Sequence, residues 1–227
     1  MIKELFSLRE EEIFNTLKEL KDCDFVIIGG YAVNAYALPR FSIDCDIVIK
    51  NENELRKIEK ILLKIGYKKE KLAKDVQYSG SFCRYDKTLD KNFAVSIDAL
   101  ISNVTDRMTE AVFAADWIFE NSSIKLLKGK TIAEELKMRI INIDALLVMK
   151  IISCRSTDIR DVFMMIPKAK NTAWITSEIQ IRYNFKDRMA KIIEKICSNQ
   201  FKDGLSGVYG RIDQKTFEKH KNAIILL

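Results

Sequence analysis

Apolar residues along the chain recur with two different spacings, one typical of helices and one typical of strands. Residues 10–21 carry apolar side chains every three to four positions, which predicts an amphipathic helix. Residues 25–28 form a short, continuous apolar run, typical of a buried strand. Residues 43–49 alternate acidic and apolar side chains before becoming wholly apolar, and residues 93–101 are apolar almost throughout. Both segments are therefore predicted to be strands.

Helices are predicted between and after these strands. Residues 31–38 suit a short helix that ends before Pro39. Residues 53–65 have one apolar face, with Asn51 as the expected cap and Gly66 as the expected stop. A hairpin strand is predicted at 75–85, and the stretch 106–130 is ambiguous. From residue 131 the pattern becomes helical, with helices predicted at 143–154, 158–166, 174–197 and 213–224.

These elements predict an α/β (α+β) fold with two parts. Residues 1–130 are expected to form a small mixed β-sheet flanked by helices, and residues 131–227 a C-terminal helical lobe that closes a cleft. Three glycines spaced three residues apart, Gly204, Gly207 and Gly210, predict a flexible loop inside that lobe, because no strand precedes them.

Composition narrows the protein class. Hydrophobic residues make up 48% and charged residues 31% of the chain, which is typical of a globular protein with its own core. No run of about 18 uncharged apolar residues occurs, so no membrane span is expected. The N-terminus is charged too early for a secretory signal. Five widely spaced cysteines without a C-x-x-C pair favour reduced thiols and a cytoplasmic protein.

Histidine and charge narrow the chemistry further. The single histidine, His220, makes His-ligated zinc sites and Ser-His-Asp triads improbable, so acid–base or metal chemistry must use carboxylates and lysine. The formal charge of +6 mildly favours polyanionic partners. The lysine cluster at positions 68, 69, 71 and 74 is diluted by Glu70 and Asp75, and a solvated face is a better interpretation of it than a nucleic-acid patch.

Two acids in the second strand are the first candidate for chemistry. Side chains alternate along a strand, so Asp44 and Asp46 project from the same face while Cys45 points away. Two carboxylates at that spacing repel each other and need a compensating cation. Mg²⁺ suits them, since it takes oxygen ligands and accepts phosphate oxygens from a substrate. A D-x-D pair alone is common, however, and is more often not a metal site.

A third acid and a glycine pair strengthen the hypothesis. Asp98 lies inside the apolar strand 93–101, and pairing of that strand beside 43–49 would bring three carboxylates together. Together with Mg²⁺ and a nucleoside triphosphate (NTP), the three carboxylates would form a phosphoryl-transfer centre, for which two Mg²⁺ ions are expected. Asp98 could also accept a proton there. The backbone of Gly29-Gly30 would approach a phosphate closely, although a tight turn alone also explains two glycines.

The stretch GGYAVNAYALPRFSIDCDIVI resembles the signature of the nucleotidyltransferase superfamily that includes DNA polymerase beta. In that signature a G-G or G-S turn and a short helix precede D-x-D or D-x-E in an apolar strand. The stretch is similar in particular to enzymes of the AbiEii-like toxin group, where an arginine and Ser/Thr precede the acids, here Arg40 and Ser42. The resemblance implies a triphosphate site at Gly29 and Gly30 and a metal site at Asp44, Asp46 and Asp98.

A second stretch, IDALLVMKIISCRSTDIRDVF, looks like the helix pair that follows the catalytic sheet in the same group. The family pattern maps onto Lys150, Arg155, Asp158 and Asp161. It implies that Lys150 contacts the triphosphate as a point charge and that Asp158 positions Lys150 or Arg155. An ordinary ion-pair network is the alternative for these residues. The resemblance covers roughly residues 24–166.

The resemblance implies a Mg²⁺-dependent transfer of a nucleoside monophosphate from NTP, possibly ATP, to an acceptor hydroxyl, with release of pyrophosphate. The acceptor could be RNA (plausibly a tRNA end), a protein side chain or a small molecule, and the net charge mildly favours RNA. A toxin role with an antitoxin partner is what the family suggests. The alternative is a non-catalytic nucleic-acid- or protein-binding module that keeps the fold.

Overall fold

The computed structural model describes residues 2–70, 81–90 and 93–227. The chain divides into two compact units. The sheet unit comprises Met1–Ala35, Phe41–Thr105 and Phe113–Ile141, and the helical unit comprises Tyr36–Arg40, Asp106–Val112 and Asn142–Leu227. Both names are kept below, and each unit is described by itself.

Nine strands occur in the described chain. They are β1 (Val26–Ile27), β2 (Asp44–Ile49), β3 (Lys68–Lys69), β4 (Ser81–Asp90), β5 (Phe93–Ile101), β6 (Asn103–Thr105), β7 (Val112–Ala114), β8 (Ser122–Lys128) and β9 (Glu135–Ile141). Seven of them form one mixed sheet in the order β3-β4-β5-β2-β1-β9-β8. Strands β2 and β5, and likewise β1 and β9, run parallel, whereas the other neighbours in this sheet are antiparallel.

Among its described residues the sheet unit has four helices: α1 (Ile2–Glu19), α2 (Gly29–Val33), α3 (Glu52–Lys64) and α4 (Ala115–Glu120). Helix α1 contacts β5, and α3 contacts β2 and β5. The predicted apolar stripe of α1 is confirmed, because its members Ile13, Phe14, Leu17 and Leu20 are all buried. The predicted cap of α3 is confirmed as well, since the Asn51 side chain accepts hydrogen bonds from the backbone N–H groups of Asn53 and Glu54, both at 3.1 Å.

Six helices and a single 3-10 turn at Ile166–Lys168 make up most of the helical unit. The helices are α5 (Ile143–Ser153), α6 (Ser156–Met165), α7 (Thr172–Arg182), α8 (Phe185–Ile196), α9 (Asn199–Tyr209) and α10 (Gln214–Ile225). The mixed α/β fold predicted from the sequence, with flanking helices and a helical C-terminal region, is thus confirmed. No helix in the described part of the chain has the length and apolar character needed to cross a membrane.

Three details of the sequence prediction were wrong. Strand β9 lies where a helical pattern was predicted, because Leu136, Met138 and Ile140 alternate with polar side chains at the period of a strand. The helix predicted at 174–197 is two helices, and the Asn184 side chain caps the second by accepting from the Asp187 backbone N–H. The predicted loop around Gly204 is helix α9.

The remaining segments agree in type but not in length. Helix α2 ends at Val33, earlier than predicted, and Asn34 follows it as the C-terminal cap. Strand β4 begins at Ser81, and the earlier part of the predicted strand 75–85 lies outside the described residues, as do Lys71 and Lys74 of the lysine cluster. All five cysteines are free.

A buried carboxylate in α1 holds the turn that leads from β8 towards β9. Glu10 is only 1% exposed. Its Oε1 accepts from the Lys130 backbone N–H at 2.6 Å, and its Oε2 accepts from the backbone N–H of Thr131 at 2.8 Å and from the Thr131 hydroxyl at 2.6 Å. A buried side chain with three such bonds anchors the β8–β9 hairpin to α1.

Replacing this anchor should destabilise the fold. In Glu10→Ala, the two backbone N–H groups of the turn lose their acceptor, so we expect the free energy of unfolding to fall by about 3 kcal/mol. Urea denaturation of the purified chain measures it. The control is Glu11→Ala on the exposed side of α1, expected within about 0.5 kcal/mol of the parent. Equal effects of the two substitutions would contradict the anchoring role.

Candidate functional site

The register between β2 and β5 brings the three predicted carboxylates to one face of the sheet. Asp44 pairs with Ser96, and Asp46 pairs with Asp98 on the neighbouring parallel strand. Residues paired in register point to the same side of a sheet, and residues two apart on one strand do so as well. Cys45 and its partner Ile97 point to the opposite, fully buried side. Asp44, Asp46 and Asp98 therefore share one face.

An arginine that the sequence analysis did not single out binds the third carboxylate. Arg84 lies opposite Asp98 in the antiparallel β4–β5 pair. Its Nε donates to Asp98 Oδ1 at 2.8 Å and its Nη2 to Asp98 Oδ2 at 2.6 Å, which is a bidentate, charge-assisted contact. Nη2 also lies 3.8 Å from Asp44 Oδ2. Arg84, Asp98 and Asp46 thus form one row across three adjacent strands.

The surroundings of Asp98 work against its charge. Asp98 is only 5% exposed. Burial raises the pKa of Asp98, the hydrogen bonds and charge of Arg84 lower it, and the nearby Asp44 raises it, so that the pKa lies above its ordinary value. Arg84 offsets only part of the cost of burying this carboxylate, and a further cation on this face would favour the ionised form.

The glycine turn at the end of β1 lies directly against Asp46. The Ile28 backbone N–H donates to the Asp46 carbonyl at 3.0 Å. Gly29 follows with a φ of +62°, in the left-handed region that favours glycine. A Cβ at this position would lie 1.9 Å from Asp46 Oδ2, so any larger residue would collide with the carboxylate. Gly30 is buried in α2, and Ser42 is half-buried just before Asp44.

Two of the three carboxylates on this face are of the type that binds a magnesium ion. Asp44 and Asp46 are both half-buried, so their oxygens lie at the boundary between core and solvent. The missing side chain of Gly29 leaves room beside Asp46 that a Cβ would fill. Carboxylate oxygens are the ligands that Mg²⁺ prefers. Among the described residues no three His, Cys, Asp or Glu side chains are arranged to hold an ion, and Asp98 is instead bound by Arg84.

The helical unit gathers the second set of predicted residues around Asp161, which is 0% exposed. Arg40 donates from Nε to Asp161 Oδ1 and from Nη2 to Asp161 Oδ2, both at 2.7 Å. The Tyr209 hydroxyl donates to Oδ1 at 2.7 Å, and Lys150 Nζ lies 2.8 Å from Oδ2. Four polar contacts from three elements therefore converge on one buried carboxylate.

Lys150 is shared between two acids. It is buried in α5 and donates to Asp158 Oδ1 at 2.9 Å in addition to its contact with Asp161. The other oxygen of Asp158 accepts from the Arg155 backbone N–H at 3.3 Å. Asp158 thus contacts Lys150 and the backbone at the start of α6. The contacts form a buried ion-pair network, and a contact of Lys150 with a triphosphate stays a prediction.

The network sets the protonation of its members. Burial alone raises the pKa of Asp161, but the charges and hydrogen bonds of Lys150 and Arg40 outweigh it and lower the pKa to about 2. Burial lowers the pKa of Lys150, and Asp161 and Asp158 more than compensate, so the pKa is raised. Asp161 and Lys150 hence both remain ionised at neutral pH, as expected of a buried pair with good geometry.

Sequence reasoning missed Arg84 and Tyr209. Arg84 lies between Cys83 and Tyr85 and two residues before Asp86. Alternation along the strand therefore predicts that Arg84 and Asp86 lie on one face of the sheet. Its partner depends on the register between β4 and β5, which no local pattern reveals. Tyr209 lies at the end of α9, in a segment predicted to be a loop. Only the helical assignment of that segment would have drawn attention to it.

A side chain at Gly29 should disturb the carboxylate face. We expect Gly29→Ala to lower the free energy of unfolding by about 1–3 kcal/mol, because of the positive φ and the collision with Asp46. Gly204→Ala is the matched control. No atom lies within 4 Å of a Cβ there, inside α9, so this change should stabilise by up to about 1 kcal/mol. Denaturant unfolding compares them. A neutral Gly29→Ala would contradict the described turn.

Removing the charge of Asp161 should cost more than removing one of its hydrogen bonds. Asp161→Asn leaves Lys150 and Arg40 buried without their shared partner, and we expect a loss of about 3–5 kcal/mol. Tyr209→Phe removes a single hydrogen bond and should cost about 1 kcal/mol. Equal losses for the two variants, measured by urea denaturation at pH 7, would show that Asp161 is not the centre of the network.

The same carboxylate should make stability fall in acid. The folded pKa of Asp161 is about 2, below the ordinary value of about 3.9. Its stabilising contribution is therefore complete above about pH 4 and is lost as the pH falls towards 2. The parent should lose stability more steeply across this window than Asp161→Asn, and parallel pH profiles would count against the assignment.

Comparison with known proteins bears on the fold. No protein-family model matches the chain, and no curated protein matches it in sequence. A Helicobacter pylori protein described as a candidate nucleotidyltransferase superposes with a TM-score of 0.52 at 16% identity, covering 96% of this chain and 93% of that one. A second H. pylori protein, JHP933, gives 0.46 at 17% identity, covering 97% of this chain and 90% of that one. The lincomycin-bound lincosamide antibiotic adenylyltransferase LnuA gives 0.40 at 19% identity, covering 61% of this chain and 84% of that one. At these identities the first match shows a shared fold with a protein described as a candidate nucleotidyltransferase.

Proposed function

We propose that this chain is a Mg²⁺-dependent nucleotidyltransferase, which moves a nucleoside monophosphate from NTP to an acceptor hydroxyl and releases pyrophosphate. One observation carries the proposal: Asp46 and Asp98 are paired in register on parallel strands, with the Gly29 turn against Asp46. The arrangement supplies oxygen ligands and an approach for phosphate at one place. The fold shared with a protein described as a candidate nucleotidyltransferase is consistent with it.

Asp44 and Asp46 would hold the metal, and Asp98 would complete the acidic face. Bound there, Mg²⁺ would neutralise charge on the triphosphate and on the leaving pyrophosphate. Asp98 is the residue best suited to accept the proton of the attacking hydroxyl, because burial raises its pKa while Arg84 still favours the carboxylate. Arg84 would keep Asp98 oriented through its two hydrogen bonds.

The glycine pair would bind phosphate through its backbone. Without side chains, Gly29 and Gly30 allow a phosphate oxygen to approach their N–H groups beside Asp46. Helix α2 has only five residues, so its dipole adds little, and the backbone N–H groups are the relevant donors. Contacts of the nucleotide with Lys150, Arg40, Ser42 and Asp158 remain predictions from the sequence.

The acceptor and the biological role also remain predictions. RNA, a protein side chain and a small molecule are the three acceptor classes, and the charge of +6 mildly favours RNA. A toxin activity with an antitoxin partner rests on the sequence resemblance to the AbiEii-like group.

A non-catalytic binding module is the second candidate, and Arg84 favours it. The sequence argument for metal was that clustered carboxylates need a cation. The guanidinium of Arg84 supplies one to Asp98 and lies 3.8 Å from Asp44. A non-catalytic protein could retain the clustered carboxylates with the Arg84–Asp98 ion pair as their compensation.

Substitution of Asp46 distinguishes the two functions. The protein is incubated with each α-labelled NTP, Mg²⁺ and either total RNA, a protein extract or a panel of hydroxyl-bearing small molecules. We expect label on one acceptor class, lost with EDTA and reduced about a hundredfold or more in Asp46→Asn, because a ligand that stabilises transition-state charge is removed.

The control for this experiment is Asp22→Asn, which removes an exposed carboxylate of the same unit and should transfer label at the parent rate. Transfer that persists in Asp46→Asn would refute the metal assignment. Absence of transfer to every acceptor, together with no Mg²⁺-dependent thermal stabilisation by NTP at millimolar concentration, would favour the binding module.

A further inference from the structure

The helical unit contains a cavity of about 900 Å³ between its own helices. Its walls come from the turn between α5 and α6, from one face of α8 and from the start of α9, with Met108 and Tyr183 completing the lining. The volume lies in the range of small-molecule sites, about 300–1,000 Å³. None of these lining residues has a role in the function proposed above.

The cavity is strongly basic. Arg188, Lys191 and Lys195 line it from α8 at positions i, i+3 and i+7, which places them along one face of the helix. Arg155 lines it from the turn before α6. Glu194 is the single acidic side chain among these lining residues. Arg155 is paired with the buried Asp106 at 3.5 Å. Arg188, Lys191 and Lys195 against Glu194 still leave an excess positive charge inside a concave wall, where the field is focused.

Arg188 is an incompletely satisfied cation in this wall. It is 8% exposed, and its guanidinium carbon lies 4.3 Å from the centroid of the Tyr183 ring. Its Nε is buried without a hydrogen-bond partner among the described residues. A buried polar group without a partner destabilises a fold, more so when the group is charged, and such groups in native proteins call for an explanation.

One helix N-terminus adds to the positive potential. Ser198 is the cap of α9 and lines the cavity. Ser156 at the start of α6 also lines it, but there the Asp158 carboxylate already accepts from the Arg155 backbone N–H. The α9 cap side chain is turned to the Lys195 carbonyl, at 2.8 Å, so it does not satisfy the first N–H groups of its helix. Helix N-termini bind anions through such N–H groups. They support the site that Arg188 marks.

We infer that this cavity binds the phosphate group of a phosphorylated ligand. A guanidinium with an unpartnered Nε, two further lysines, serine hydroxyls and the N-terminus of α9 match the charge and the several acceptor oxygens of a phosphate. The volume accommodates more than a bare ion, so the phosphate belongs to a larger molecule, either a free mononucleotide or a nucleic-acid strand. The inference stands independently of the proposed function, because every residue that carries it lies in the helical unit.

The test is calorimetric titration of the full chain with inorganic phosphate and with 5′-AMP, without Mg²⁺, in chloride buffer of constant ionic strength. Arg188→Met keeps the apolar stem and removes the buried charge. We expect its affinity for both ligands to fall about tenfold or more, with no loss of thermal stability in the absence of ligand. The matched control, Lys186→Met, removes an exposed cation of the same helix outside the cavity and should bind like the parent.

A second variant protects the test against misfolding. Lys191→Met/Lys195→Met changes two side chains that are not fully buried, and it should also weaken binding while the fold is retained. Binding unchanged in both variants, or no binding of phosphate or 5′-AMP to the parent at millimolar concentration, would overturn the inference. The experiment in an Asp46→Asn background should give the same result, so its failure is separate from failure of the transferase proposal.

A final comparison identifies the source of the phosphate. A short single-stranded RNA is titrated beside 5′-AMP at two salt concentrations. Binding at least tenfold tighter than 5′-AMP, with an affinity that falls steeply with salt and with Arg188→Met, would assign the cavity to a strand phosphate. Equal affinities would assign it to a free mononucleotide. RNA binding that is indifferent to Arg188→Met, with 5′-AMP binding also unaffected, would contradict the site.

Discussion

Repulsion between like charges on adjacent parallel strands is the constraint on which the sheet unit depends. The register that pairs Asp46 with Asp98 also places Asp44 on the same face, at the end of an otherwise apolar strand. Folding tolerates this only where cations compensate. Arg84 compensates part of it from β4, and the Gly29 turn lies directly against Asp46. Asp98 nevertheless keeps a pKa above its ordinary value, so its charge is incompletely compensated.

In the helical unit, by contrast, a buried carboxylate is fully compensated by its neighbours. Asp161 receives Arg40, Lys150 and the Tyr209 hydroxyl, and its pKa falls to about 2. Asp98 has one arginine, and its pKa remains above the ordinary value. A saturated carboxylate fixes the packing of its neighbours and has no further capacity for a ligand. An undercompensated one retains that capacity, which is why the chemistry is assigned to the sheet unit.

The sequence predicted the parts of this arrangement that depend on local periodicity. The bounds of β5 follow from its apolar run, the shared face of Asp44 and Asp46 from alternation along the strand, and the α1 stripe from the helical period. Arg84 could not be assigned, since its partner is set by a register between strands. Strand β9 was mistaken for helix because a weak period of two was overlooked beside the strongly helical α5. Glycine content outweighed the buried Phe201 and Leu205 in the prediction for α9.

Incomplete neutralisation is also what separates Arg188 from the other buried cation of its unit. Lys150 contacts two carboxylates, whereas Arg188 contacts the Tyr183 ring and the Cys154 thiol and has an Nε without an acceptor in the described chain. Packing alone would favour an apolar residue of similar length at that position, because burying a charged group with incomplete hydrogen bonds is costly. A buried cation that does not stabilise the fold is best explained by a ligand that binds to it. The same criterion, a buried charge that its own neighbours leave unbalanced, thus points to Asp98 in one unit and to Arg188 in the other.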